Sequence, residues 1–143
     1  MLIAIDPGKT TGICCGVRAH NVQKFDVTLA REVTWNNRFW FREYLFDCRD
    51  VIEKIIIERF KLFPKRETML AQINSEFPSV RIIGIVEAYA DIYGLLDKIV
   101  YQEPNDRKSV HTPIEHQQAL GASDHVKDAY RHLRYYLLTH QKG

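Results

Sequence analysis

The chain opens Met1-Leu2-Ile3-Ala4-Ile5-Asp6-Pro7-Gly8-Lys9-Thr10-Thr11-Gly12, and the fold is decided by how this stretch is read. Leu2 to Ile5 is a short apolar run with the pattern of a buried strand, and it ends on an acid. Pro7-Gly8-Lys9 reads as a turn. A second strand, Thr11 to Arg18, follows at once. Val22 to Leu29 supplies a third across a turn at His20-Asn21. Three strands in succession most simply make an antiparallel meander. The turn is not a phosphate-cradling P-loop, because the full Gly-x-x-x-x-Gly-Lys-Ser/Thr run is not present and no helix follows it.

Beyond Glu32 the pattern turns helical. Asn36 or Asn37 can cap a helix running to about Arg49, with Trp40, Tyr44, Leu45 and Cys48 as its apolar stripe. Ile52 to Phe60 is a β-branched run whose near-continuous apolarity suits a central strand covered on both faces, and Glu58 interrupts it near its end. Lys61 to Met69 is a basic connection. A helix from Pro78 or Ser79 to about Tyr93 carries Ile82, Ile83, Val86, Tyr89 and Ala90 at helical spacing. Ile99 to Gln102 is a short strand, and Glu103 to Ser123 is a polar loop with a helical turn or two near Ile114 to Leu120. Ser123 suits the N-cap of a last helix that buries Val126, Ala129, Tyr130, Leu133 and Leu137. The order βββ-α-β-α-β-α argues for an α/β fold, a five-stranded mixed sheet flanked by helices.

The 143 residues suit one domain, residues 1–143, with a core of ordinary size. Hydrophobic residues make up 45% and charged residues 27%, which excludes a disordered tail or a fibrous repeat. Twenty basic against eighteen acidic residues leave a net charge of +2, which neither demands nor forbids a nucleic-acid partner. Cys14, Cys15 and Cys48 form no CxxC pair and no zinc ligand set, and their odd count favours a reducing compartment. The apolar start is too short for a signal peptide or a membrane span, so the expected setting is cytoplasmic, with no membrane partner.

Three places carry candidate chemistry, and each has a plain structural reading when taken alone. Asp6 is a turn residue on that reading. Glu58 is a strand-end carboxylate, wet or paired with Arg59 or Lys61. In Asp124-His125-Val126-Lys127-Asp128-Ala129-Tyr130, acids in the first turn of a helix are common and stabilising. His125 and Asp128, three apart, share one face of that helix. Taken together the three places mean more. Acids at the ends of two strands, with an acid and a histidine on the last helix, can converge on one face of a sheet. Three carboxylates without cysteine suit a hard ion such as Mg²⁺ or Mn²⁺. Two such ions, about 3.5–4 Å apart, stabilise the attacking and leaving oxygens of a phosphodiester exchange.

The ordered set resembles the RuvC-like Holliday junction resolvases of the ribonuclease H-like superfamily, in particular the short phage-type members. Ile3-Ala4-Ile5-Asp6-Pro7-Gly8 through Thr11-Gly12 is similar to the family's first acidic motif. Glu58 takes the place of its second acid, and Asp128-Ala129 that of its fourth. The third position, three residues earlier, is His125 here rather than Asp, as in some members; Asp124 is the other candidate for that role. The resemblance implies a metal-dependent crossover junction endodeoxyribonuclease of DNA recombination and repair. It would act in the cytoplasm, that of the host if phage-encoded, and work as a homodimer on four-way or other branched DNA. Asp6, Glu58, His125 and Asp128 would be its metal ligands, and His125 would either bind metal or take a proton from water.

Arg59, Lys61, Lys65 and Arg66 follow Glu58 directly, interleaved with Phe60 and Phe63, as a nucleic-acid surface would have them. The Tyr101-Gln102-Glu103-Pro104 stretch and the following Arg107-Lys108 also resemble a family segment near the active site, with Lys108 as the expected catalytic phosphate contact. The aromatic group Trp35, Phe39, Trp40 and Phe41 is read first as core, and second as a dimer or nucleic-acid contact. The rival readings are a ribonuclease or general DNA nuclease of the same fold, and a DNA-binding protein without catalysis. A sugar-kinase-like ATP-binding domain shares this type of opening but needs two similar domains, for which 143 residues are too few.

Overall fold

The computed structural model describes residues 1–19, 25–60 and 77–140. Its sheet has the strand order β3-β2-β1-β4-β5. Strand β1 is Leu2–Asp6, β2 Thr10–Arg18, β3 Phe25–Thr34, β4 Lys54–Glu58 and β5 Ile99–Gln102. Strands β1, β2 and β3 pair antiparallel as a meander, while β4 and β5 add to β1 in parallel. The parallel pairing needs crossovers. Helix α1, Trp40–Cys48, lies on the first, and α2, Pro78–Ile92, on the second.

Alternation along β1 divides the core in two. Ile3 and Ile5, with Ile13, Cys15, Ile55 and Ile57, face Phe41 and Leu45 of α1 and Ile82, Val86 and Ala90 of α2. Leu2 and Ala4, with Cys14 and Ile56, face the last helix, α4, Asp124–Thr139. That helix buries Val126, Ala129, Tyr130, Leu133 and Leu137, the stripe its sequence spacing implied. Ser123 caps it, its Oγ accepting the Val126 N–H at 3.2 Å. The short α3 occupies Ile114–Leu120, where one or two helical turns were expected.

Three elements differ from their sequence reading. Strand β3 does not stop at Leu29 but continues to Thr34, and the expected start at Val22 and the His20-Asn21 turn lie outside the described residues. Arg31 and Glu32 break the apolar pattern, yet the ladder carries them opposite Ile13 and Gly12. An edge strand with an open face accepts such charges, so alternation understates its length. Strand β4 is shorter than the Ile52–Phe60 run, and Glu58 is its last residue. Asn36 and Asn37 lie in a 3₁₀ turn, Trp35–Asn37, and α1 begins only at Trp40. The aromatic group divides there: Phe41 is core, Trp40 stacks on Tyr44 at 4.4 Å, and Phe39 is exposed.

Candidate active site

Asp6 and Glu58 close adjacent parallel strands. Ile5 pairs with Ile57, so the two acids stand one residue further along, side by side at the same edge. Counting in twos from Ala4 and Ile56 puts both on the α4 face. Helix α4 can reach them because Gly12, the register partner of Asp6, has no side chain. A Cβ there would lie 2.0 Å from the His125 carbonyl oxygen, so the first turn of α4 rests directly on β2. The preceding turn is tied in turn: the Gly8 N–H donates to Thr11 Oγ1 at 3.2 Å, Thr11 Oγ1 donates to the Gly8 carbonyl at 3.0 Å, and Ser79 Oγ donates to the Pro7 carbonyl at 2.8 Å. The small and hydroxylated residues of the opening motif thus set the backbone from which Asp6 projects.

The result is a cleft of about 440 Å³, lined by the Asp6–Thr10 turn with Ser79, Arg107, His125 and Asp128. His125 Nδ1 lies 3.7 Å from Asp6 Oδ2, and the charges of Glu58 and Asp128 bear on Asp6 from the other sides. Arg107, on a 3₁₀ turn at Asp106–Ser109, spans the cluster, with Nε 3.0 Å from Glu58 Oε2 and a guanidinium nitrogen 3.7 Å from Asp128 Oδ1. Arg131 holds the same Asp128 oxygen at 3.0 Å. Behind Glu58 stands His132, its Nε2 2.7 Å from Glu58 Oε2 and its Nδ1 2.7 Å from Gln102 Oε1.

The charges are unevenly balanced. Burial, then the neighbouring charges of Glu58 and Asp128, push the Asp6 carboxyl up to about 8, against the pull of Arg107. Burial acts on Glu58 in the same sense, but the His132 hydrogen bond and charge, followed by Arg107, hold it below the ordinary carboxylate value. The cluster therefore keeps one proton at neutral pH and has an unmet demand for positive charge. Hard carboxylate oxygens short of positive charge fit a hard divalent cation in kind. Among the described residues, no three His, Cys, Asp or Glu side chains are drawn together tightly enough to hold an ion in this arrangement, in which Arg107 spans Glu58 and Asp128.

Asp6, Glu58, His125 and Asp128, singled out from sequence, thus meet at one sheet edge. Asp124 is exposed and is not part of the cleft wall, which His125 joins. Arg107 enters the cleft as a partner of two acids, whereas Lys108, on the same turn, is exposed and absent from the cleft wall. Arg59 is exposed, 3.3 Å from Glu103 and 5.3 Å from the Tyr101 ring. Lys61, Lys65, Arg66 and Phe63 lie outside the described residues. Lys9 and His132 were passed over in the sequence, and Gln102 was named only as part of a segment near the active site. Lys9 is an exposed cation in the cleft wall, inside the motif that drew attention to Asp6. His132 and Gln102 are buried. The signal for His132 was its position one turn beyond Asp128, in the i, i+3, i+7 series with His125.

No described helix is long and apolar enough to cross a membrane. No protein-family model matches the chain, and no curated protein matches it in sequence. Among solved structures it is similar to Thermus thermophilus RuvC in complex with a Holliday junction substrate. The TM-score is 0.66 at 14% identity, over 94% of this chain and 91% of that one. A structure of Thermus thermophilus RuvC gives 0.63 at 16% identity, over 96% and 95%. The fowlpox virus resolvase, in complex with its substrate Holliday junction DNA, gives 0.62 at 11% identity, over 97% and 99%. At these identities the likeness is one of fold, and in each pair it spans nearly the whole of both chains. The five-stranded mixed sheet and its flanking helices are those expected from the sequence, and the chain shares the ribonuclease H-like fold of RuvC.

Proposed function

We propose that this chain is a metal-dependent endonuclease that resolves four-way or related branched DNA by phosphodiester hydrolysis. The observation that carries the reading is the meeting of Asp6, Glu58, Asp128 and His125 at one sheet edge of a RuvC-like fold. That two of the similar proteins are seen with Holliday junction DNA supports the choice of substrate.

Asp6, Glu58 and Asp128 would hold Mg²⁺ or Mn²⁺, two ions per site, with His125 at the edge of the set. The bound ions would supply Lewis-acid polarisation of the scissile phosphate and charge neutralisation at the departing 3′ oxygen. The rest falls to the chain. Asp6, which keeps its proton in the bare cluster, would give it up as the cations arrive. His125, half exposed at the cleft mouth beside Asp6, would take a proton from the attacking water. Arg107 would exchange its carboxylate partners for a phosphate oxygen, and Lys9 and Arg59 would steady the flanking backbone. A junction with two symmetric scissile phosphates calls for a two-fold protein, so the working form would be a homodimer. Equilibrium sedimentation showing only monomer, free and junction-bound, would remove that element.

A cleavage panel tests the reading: four-way junction, fork, linear duplex, single strand and RNA–DNA hybrid, each with and without Mg²⁺. Preference for the junction, dependent on the ion, is the expected outcome. Preference for the hybrid would instead make the chain a ribonuclease, and binding without cleavage would make it a junction-binding protein.

A further inference from the structure

We infer that His132, clamped by Gln102, is a positioning residue that aims the Glu58 carboxylate at the cation site; the inference rests on the reading of Glu58 as a metal ligand. His132 is fully buried, at 0% exposure, on the helix that also carries Asp128. Both ring nitrogens are engaged, Nε2 with Glu58 Oε2 and Nδ1 with Gln102 Oε1, each at 2.7 Å. Gln102 is buried as well and pairs in register with Glu58 across the ends of β4 and β5. The ring therefore joins two neighbouring strand ends to the helix opposite, with no slack at either nitrogen.

A buried histidine must satisfy its nitrogens somewhere, one donating and the other accepting when the ring is neutral, and any such pair of partners would serve packing alone. Here one partner is a carboxylate of the acidic cluster. Glu58 has more rotatable bonds than Asp6 or Asp128, so it has the most freedom to lose before it can meet an ion. Arg107 also donates to Glu58 Oε2, at 3.0 Å, but it reaches in from a short turn and is 24% exposed. His132 is fixed by the packing of α4 on the sheet. Both donors converge on Oε2 and leave Oε1 outside these two contacts. When Arg107 turns to a phosphate, His132 keeps the carboxylate in place. Carboxylates that bind metal are characteristically hydrogen-bonded from behind, and loss of such a partner costs about 10–100-fold in metal affinity or activity.

The test measures Mn²⁺ binding to the full chain by electron paramagnetic resonance in the absence of DNA, alongside junction cleavage. His132→Phe keeps volume and removes both polar contacts. It is expected to weaken Mn²⁺ binding by about tenfold or more and to lower kcat while KM for the junction holds. His132→Gln, whose amide can donate to Glu58, is expected to recover most of the lost affinity. Gln102→Met frees the far side of the ring and is expected to weaken Mn²⁺ binding less. It decides the matter where His132→Phe does not fold. Wild-type Mn²⁺ affinity in folded His132→Phe, or in Gln102→Met where that variant decides, overturns the inference if Glu58→Gln binds weakly. If Glu58→Gln also binds as wild type does, the ligand reading of Glu58 has failed and takes the inference with it.

Discussion

Replacing Asp6 by Asn is expected to stabilise the metal-free protein at neutral pH while destroying its chemistry. The folded carboxyl titrates at about 8 against an ordinary value of 3.8, because it is buried between Glu58 and Asp128. Between those two values the folded state holds a proton that the unfolded chain has released, so stability falls as pH rises through this window. Each pH unit above the unfolded value costs about 1.4 kcal/mol, which reaches about 4 kcal/mol at pH 7. Water at the cleft mouth reduces the effect to about 2–4 kcal/mol, since the local dielectric is well above that of a dry interior. Asn carries the same shape without the charge, so the penalty disappears in the variant. Urea unfolding in EDTA, run for wild type and Asp6→Asn from about pH 4 to about pH 8, reads the difference directly and cancels the other titrating groups. The variant is expected to gain most at the alkaline end and nothing near pH 4. Mg²⁺ is expected to flatten the wild-type slope by taking the place of the proton. A variant no more stable than wild type at pH 7, or a difference that does not change with pH, would mean that the Asp6 carboxyl is not raised in the folded protein.

Two further substitutions probe how the site is assembled. Gly12→Ala puts a Cβ 2.0 Å from the His125 carbonyl oxygen and 2.1 Å from its carbon. Because the obstacle is backbone, α4 must lift off β2, at a cost of about 3 kcal/mol. Unfolding and junction cleavage should both suffer, and a fully stable, active variant would contradict the direct contact of α4 with β2. Arg107→Ala is expected to lower the single-turnover cleavage rate about 100-fold at saturating enzyme, as the loss of an oriented guanidinium usually does. Lys108→Ala, by contrast, is expected to change that rate little while weakening binding to DNA of every shape. The reverse ranking would return the phosphate contact in the cleft to Lys108.

The sequence made the site legible where the chemistry conflicted with the local pattern. Asp6 ends an apolar strand and Glu58 interrupts another, and both stand out because unpaired acids are costly in such surroundings. Asp128 and His125 were legible through helical spacing against a clear apolar stripe. The remaining members of the site were hidden for physical reasons. His132 sits in the buried stripe of α4 and looks like core, because its partners Glu58 and Gln102 are remote in sequence. Arg107 and Lys108 are adjacent and chemically similar, and only the 3₁₀ turn distinguishes which one enters the cleft. Gly12 was noted as part of a motif, but its reason is a helix more than a hundred residues away. The length of β3 was obscured because an edge strand owes its extent to the ladder and not to its own apolar pattern.

On the proposed reading, one acidic centre on this fold cuts branched DNA with the help of a divalent ion. The most direct test is strand mapping on a synthetic four-way junction, each strand end-labelled in turn, for wild type and Asp6→Asn. Paired cuts are expected at symmetric positions in two strands of like polarity, present with Mg²⁺, absent with EDTA and absent from Asp6→Asn at any ion concentration. Cuts that persist in Asp6→Asn, or a wild-type protein that leaves the junction intact in Mg²⁺ and Mn²⁺ alike, would contradict that reading.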